Sequence, residues 1–149
     1  MKILKACESD LRDILALQYA AFRSEAMILN NFDIEPLKQT LTELQAEYAE
    51  KIFLKTVDDN GAIVGSLRYF LEGNTVHIGK LIVNPAVQGR GIGTSLLHEV
   101  EKLCPNKRYE LFTRSNNFRN ISLYKRAGYK IFAERYVTEY LTFACLEKC

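Results

Sequence analysis

The stretch "VNPAVQGRGIGTSLL", Val83 to Leu97, constrains this chain more than any other. The apolar run "TVHIGKLIV" leads into it, three glycines alternate with Arg90 and Ile92, and an amphipathic segment follows. Ile92, Leu96, Leu97, Val100 and Leu103 recur at helical spacing, which puts the glycines at a helix N-terminus. The first turn of a helix has N–H groups without intrahelical acceptors and holds the positive end of the dipole. Small residues let an anion approach that backbone closely. The stretch therefore reads as a phosphate cradle suited to a pyrophosphate, against the plainer reading of a tight strand-to-helix turn. It is not a P-loop, because no lysine stands where G-x-x-x-x-G-K-[ST] needs one. It is not a dinucleotide fingerprint either: counted from Gly89, the last glycine of G-x-G-x-x-G would be Thr94.

The rest of the chain predicts what surrounds this turn. "MKILKA" reads as a first strand, and Ser9 is placed to cap a helix through Leu11, Ile14, Leu15 and Gln18. "EAMILNNFDIE" reads as an irregular loop. "PLKQTLTELQAEYAEK" reads as a second helix with Pro36 in its first turn. The strands "KIFLKTV", "AIVGSLRYFL" and "TVHIGKLIV", joined by the short turns "DDNG" and "EGN", predict an antiparallel meander. After the glycine helix come the strand "RYELFTR", a short helix "NISLYKRAG" and two final strands. The expected fold class is α+β (α/β): one domain over residues 1–149, with a mixed, mostly antiparallel sheet flanked by helices.

Composition narrows the function classes. The chain of 149 residues is 48% hydrophobic and 26% charged, a globular mix. No apolar run approaches the ~20 residues that span a bilayer. "MKILKACESD" turns acidic too early for a signal peptide, so a cytoplasmic protein with no membrane partner is expected. Cys7, Cys104, Cys145 and Cys149 form no C-x-x-C pair, and only His77 and His98 could join them; no metal site is expected. Residues 107–130 hold Lys107, Arg108, Arg114, Arg119, Lys125, Arg126 and Lys130 against the single acid Glu110. That cluster suits a polyanionic ligand, although it also fits a solvated face. Aromatics are interleaved with it, but no nucleic-acid reading motif is present, so no nucleic-acid partner is expected.

"V-x-P-x-x-Q-G-R-G-I-G-x-x-L-L" resembles the acyl-CoA-binding motif of the GNAT superfamily of N-acetyltransferases. "NNFRNISLYKRAGY" is similar to that family's second motif, N-x-x-x-x-x-x-Y-x-x-x-G-[FY], in the right order downstream. The resemblance implies a GNAT-like fold and acetyl-CoA as co-substrate. It implies that backbone amides of Gln88, Gly89, Arg90, Gly91, Ile92, Gly93 and Thr94 hold the pyrophosphate of coenzyme A. Backbone groups of Ile82 and Val83 would bond the pantetheine arm and acetyl carbonyl, in a gap between splayed strands. Asn117 and Asn120 match positions of polar cofactor contact, and either could instead cap the next helix.

By the same resemblance Tyr124 would protonate the departing thiolate. A phenol with pKa near ~10 carries its proton at neutral pH, and a thiolate of conjugate pKa ~8.5 benefits from receiving one. The acceptor amine must be deprotonated before it attacks. His77 occupies a strand position where many family members carry a glutamate, and it is the candidate base, with Glu72 in reserve. Strict alternation would put His77, Gly79, Leu81 and Val83 on one face. An acyl-enzyme on Cys104 or Cys145 is disfavoured, because no histidine lies near either in sequence. The implied reaction is direct transfer of an acetyl group to a primary amine of a small molecule. Alternatives are a protein lysine or N-terminal acetyltransferase and a non-catalytic acyl-CoA sensor; a homodimer is left open.

Overall fold

A computed structural model describes residues 1–149. It forms one sheet of seven strands in the order β1-β2-β3-β4-β5-β7-β6. The strands are β1 (Lys2–Lys5), β2 (Ile52–Val57), β3 (Ile63–Glu72), β4 (Thr75–Val83), β5 (Arg108–Arg114), β6 (Lys130–Thr138) and β7 (Leu141–Lys148). The helices are α1 (Leu11–Leu29), α2 (Glu35–Lys38), α3 (Leu41–Tyr48), α4 (Ile92–Leu103) and α5 (Phe118–Arg126). Every strand pair is antiparallel except β4–β5. The mixed α+β architecture is the expected one.

Two apolar clusters hold the layers together. The larger one packs α4 and α5 on one face of the sheet, through Leu96, Leu97, Val100 and Tyr124 against Leu67, Val76, Ile78, Leu111 and Leu146. The smaller one packs α1 and α3 on β2, through Leu11, Ile14, Leu15, Leu44 and Phe53. Burying a side chain of this size contributes roughly 1.5–3 kcal/mol, so these two faces fix where the helices lie.

Three local expectations need correction. Ser9 is not a cap: a single 3₁₀ turn, Glu8–Asp10, precedes α1, and the Asp10 carboxylate accepts from the Cys7 N–H at 2.7 Å. Helix α1 also runs on through half of the expected loop, to Leu29, and stops where Asn30 takes the left-handed conformation, φ 53°. The second helix is two helices. Gln39 is extended between them (ψ 131°), because its buried side chain is drawn into a polar network, and Thr40 starts α3 anew. The Thr40 hydroxyl accepts from the Glu43 N–H, and the Glu43 carboxylate accepts from the Thr40 N–H.

Candidate active site

Strand β4 sets the site. It pairs with β5 only over Thr75–Arg108, Val76–Tyr109 and His77–Glu110, and the two strands then diverge. Past His77, the edge of β4 that faces β5 has no strand partner. On the other side, β4 holds two residues, Lys80 and Leu81, against the single Leu67 of β3, between the pairs Arg68–Gly79 and Ser66–Ile82. Lys80 takes φ 50° in this bulge. A bulge of this kind breaks the alternation of faces. Val76 and Ile78 point to the α4 core before it, whereas Leu81 and Val83 pack toward that core after it. His77 and Gly79 therefore do not share a face with Leu81 and Val83.

The glycine turn is built as the sequence suggested. Asn84 caps the 3₁₀ turn Pro85–Val87 by accepting from the Ala86 N–H at 3.0 Å. Gly89 and Gly91 have φ of 82° and 79°, conformations that favour glycine, and an added Cβ there would project into open space. The first backbone hydrogen bond of α4 runs from the Ser95 N–H to the Gly91 carbonyl, 2.9 Å. From Gln88 to Thr94, no backbone N–H has an acceptor within the chain. Gly93 serves packing instead: its Cβ position lies 3.4 Å from Leu123 and 3.6 Å from Leu81.

These amides open onto a cavity of about 560 Å³. Of the sequence candidates, Ile82, Val83, Gln88, Gly89, Gly91, Ile92, Gly93, Thr94, Asn117 and Asn120 line it. Arg90 is exposed beside it and is not part of the wall. Asn117 is the cap of α5, accepting from the Asn120 N–H at 3.1 Å, and its amide donates to Glu25 at 2.9 Å. Asn120 makes only a long contact to the Thr113 hydroxyl, 3.4 Å. Arg119 and Arg126 add positive charge to the same wall.

Tyr124 lines neither large cavity, although its helix neighbours Asn120, Leu123 and Arg126 line this one. It is buried, 6.2 Å from the Tyr129 ring between centroids. Burial, followed by the nearby Glu25 charge, raises its pKa well above that of a free phenol.

A second cavity, about 420 Å³, lies where β4 and β5 part, and Phe22 of α1 lines both. His77 belongs to this one. Its ring stacks on Phe70 at 4.8 Å, its Nδ1 lies 3.0 Å from Glu110, and its Nε2 lies 3.5 Å from Glu72. The carboxylate on Nδ1 favours the tautomer that leaves Nε2 as the basic nitrogen. The structure thus brings the cradle residues together and places His77 across the opening, in a separate chamber.

Sequence reading missed much of these walls, including Phe22, Glu25 and Glu110. Phe22 and Glu25 lie on the part of α1 beyond its clearest apolar repeat. Glu110 meets His77 only through the parallel β4–β5 pairing, for which no local signal exists.

The model of the acetyltransferase (GNAT) family matches residues 10–129. The chain belongs to the GNAT acetyltransferase family. Among solved structures, the GNAT fold recurs in the PaiA N-acetyltransferase of Thermoplasma acidophilum in complex with coenzyme A. That likeness has a TM-score of 0.82 at 18% identity, over 99% of this chain and 97% of that one. It recurs in the phosphinothricin acetyltransferase of Sinorhizobium meliloti in complex with acetyl-CoA, with a TM-score of 0.77 at 18% identity over 99% and 86%. It recurs also in the ribosomal-protein-S18-alanine N-acetyltransferase of Escherichia coli, with a TM-score of 0.79 at 13% identity over 99% and 92%. Curated relatives include two Bacillus subtilis proteins. UPF0157 protein YqkA is 29% identical over 80% of this chain and 34% of its own length. Uncharacterized protein YdhI is 30% identical over 52% of this chain and 49% of its own length. The matches thus span only a third to a half of these relatives. No helix of this GNAT chain is long and apolar enough to cross a membrane.

Proposed function

We propose that the protein is an N-acetyltransferase that moves the acetyl group of acetyl-CoA directly to the primary amine of a small molecule. One observation carries this reading. The parting of β4 and β5 lies between a cradle of unpaired amides and a second cavity, so donor and acceptor can meet in one ternary complex.

The donor half fits the residues present. Seven successive amides, Gln88 to Thr94, lack acceptors and suit a pyrophosphate. Arg119 and Arg126 supply further charge, and Asn120, less engaged than Asn117, is the freer side chain to bond the cofactor. The unpaired edge of β4 at Ile82 and Val83 suits the amide-bearing pantetheine arm.

In the acceptor half, His77 is the base. Glu110 holds its ring so that Nε2 takes the proton from the ammonium, directly or through water. The neutral amine then attacks the thioester carbonyl. Collapse of the tetrahedral species breaks the carbon–sulfur bond; the nitrogen sheds its second proton to water, and the thiolate, hydrogen-bonded by the Tyr124 hydroxyl, takes up a proton through it with no net loss from the phenol. Burial keeps that phenol protonated, so the donor form is present at neutral pH. No acyl-enzyme is needed. Cys145 lines the second cavity, but His77 is engaged by Glu110 and Glu72, not by the thiol.

The test is release of free coenzyme A thiol from acetyl-CoA across a panel of small amines and peptides. Thiol release that requires a small amine supports the reading. Release at the same rate without any amine would make the protein a hydrolase, and release only with peptides would make it a protein acetyltransferase.

A further inference from the structure

Charge in the second cavity narrows the acceptor, on the reading that this cavity is where the acceptor sits. Its wall holds four cations, Lys51, Arg68, Lys80 and Arg135, against two carboxylates, Glu47 and Glu110. Both carboxylates are already engaged. Glu47 accepts from Arg68 and Lys51, each at 2.9 Å, and Glu110 faces His77 at 3.0 Å and Arg108 at 3.5 Å. Lys80 is neutralised from outside by Glu35 at 2.6 Å. Arg135 alone among the four has no carboxylate partner.

Arg135 is also held in place. Its guanidinium lies 5.0 Å from the centroid of Phe112 and 5.2 Å from that of Phe143, two rings that meet edge to face at 4.9 Å. Phe143 sits opposite Arg135 on β6 and opposite Arg114 on β5, so a second arginine without a carboxylate partner flanks the same ring. Stacking on aromatic faces leaves the edge of a guanidinium, with its N–H fork, free for a planar anion. Phe112 is two residues along β5 from Glu110, the partner of His77. Neighbours on one face of a strand are about 6.7 Å apart, so Phe112 stands one such step from Glu110, and Arg135 and His77 line the same cavity.

We propose that the acceptor is an amine that also carries a carboxylate, an amino acid in the broad sense. The carboxylate takes the Arg135 fork, the carbon chain lies over Phe112 and Phe143, and the amine points to His77 at the strand opening. A polyamine is the opposite chemistry, since its further ammonium groups would meet unpaired arginine and no free carboxylate on the cavity wall.

The experiment compares amino acids with the amines that lack only their carboxyl group, with a polyamine alongside. The readout is the ratio of kcat/KM values, in wild type and in Arg135→Gln. Wild type should favour the acid-bearing member, and Arg135→Gln should reduce that ratio about 10- to 100-fold, the worth of a charge-assisted fork. Arg135→Lys should keep part of the preference, and Arg135→Glu should shift it toward diamines. In parallel, calorimetry of amino acids against protein saturated with coenzyme A reads acceptor binding without turnover. It should show Arg135-dependent binding even if transfer fails, which separates this proposal from the reaction assigned above. Preference for plain amines or polyamines, or a ratio that Arg135→Gln leaves unmoved, overturns it. So does amino-acid binding that is absent or insensitive to Arg135.

Discussion

Arg68, on the central strand β3, donates from Nε to the Glu47 carboxylate of α3 at 2.9 Å, while its side chain is 1% exposed. Its Nη2 donates to Gln18 of α1 at 3.0 Å and to Gln39, between α2 and α3, at 2.9 Å. One guanidinium thus ties α1, α3 and the link between α2 and α3 to the sheet beside the second cavity. Burial pushes the Glu47 pKa up, but the Arg68 charge and hydrogen bonds from Gln39, Lys51 and Arg68 outweigh it, and the group titrates at about 2. The sign follows from that lowering. The folded pKa lies below the ordinary glutamate value of 4.5, so the pair's stabilisation is complete above that value and is lost as pH falls toward 2. Melting temperature should therefore drop across this window in wild type. In Glu47→Gln it should start lower and depend less on pH there. Parallel melting curves for the two proteins from pH 5 to pH 2 would contradict the assignment (roughly the window set by the linkage relation).

Gly65 of β3 and Ile92 of α4 form a second constraint, this one on the cradle. A Cβ at Gly65 would stand 2.8 Å from Ile92 Cγ2 and 3.3 Å from Leu96 Cδ1. Ile92 is β-branched and buried at the first turn of α4, so it cannot swing aside cheaply. Gly65→Ala should cost about 1–3 kcal/mol as an overpacked contact. Because the displaced residue belongs to the cradle, acetyl-CoA should also bind more weakly. Thermal melts with and without acetyl-CoA measure both effects. A melt lowered with an undiminished ligand shift would mean that the helix terminus stays in place.

Much of this was legible in the sequence. The strands, their order along the chain and the start of α4 all follow from alternating apolar residues, short glycine turns and the 3.6-residue repeat. The break at Gln39 carried a readable signal too, the capping pattern of Thr40 and Glu43, which the longer apolar repeat masked. The bulge at Lys80 and Leu81 carried none. It is set by how β3 and β4 register over the α4 core, and it decides that His77 faces a different chamber from Leu81. Glu110, the partner of His77, and Phe112, one of the two rings under Arg135, were illegible because they come from a strand remote in sequence.

His77 and Glu110 give a paired prediction. If Nε2 accepts the amine proton, His77→Gln should remove the acid limb of the pH–rate profile and lower kcat by about 10²-fold or more. Glu110→Gln should act through the histidine. It should keep the limb but lower kcat, since the ring loses the carboxylate that fixes its orientation and tautomer at Nδ1. A profile unchanged in both variants would take His77 out of the reaction and leave proton removal to water.

Tyr124→Phe tests the other end of the reaction. The hydroxyl makes no hydrogen bond within the chain, whereas the ring is packed in the main core. Deleting the oxygen should therefore leave the melting temperature within a few degrees of wild type. Acetyl-CoA should still raise it, because the cradle amides and the β4 edge are untouched. Turnover should fall, and the structure indicates by how much. General acid catalysis is worth about 10²–10⁴-fold when donor and leaving group are matched. Here burial and Glu25 make the phenol a weaker acid than usual, so full proton transfer to a thiolate is uphill. In the proposed reaction the hydroxyl would then act mostly as a hydrogen-bond donor to sulfur, and the loss should lie near the lower end, about 10²-fold in kcat. Glu25→Gln should partly correct that mismatch by removing the charge that opposes ionisation, and should raise kcat in the wild-type background while doing nothing in Tyr124→Phe. An equal effect of Glu25→Gln in both backgrounds would mean that the carboxylate acts elsewhere. Full turnover in Tyr124→Phe would hand the thiolate's proton to solvent.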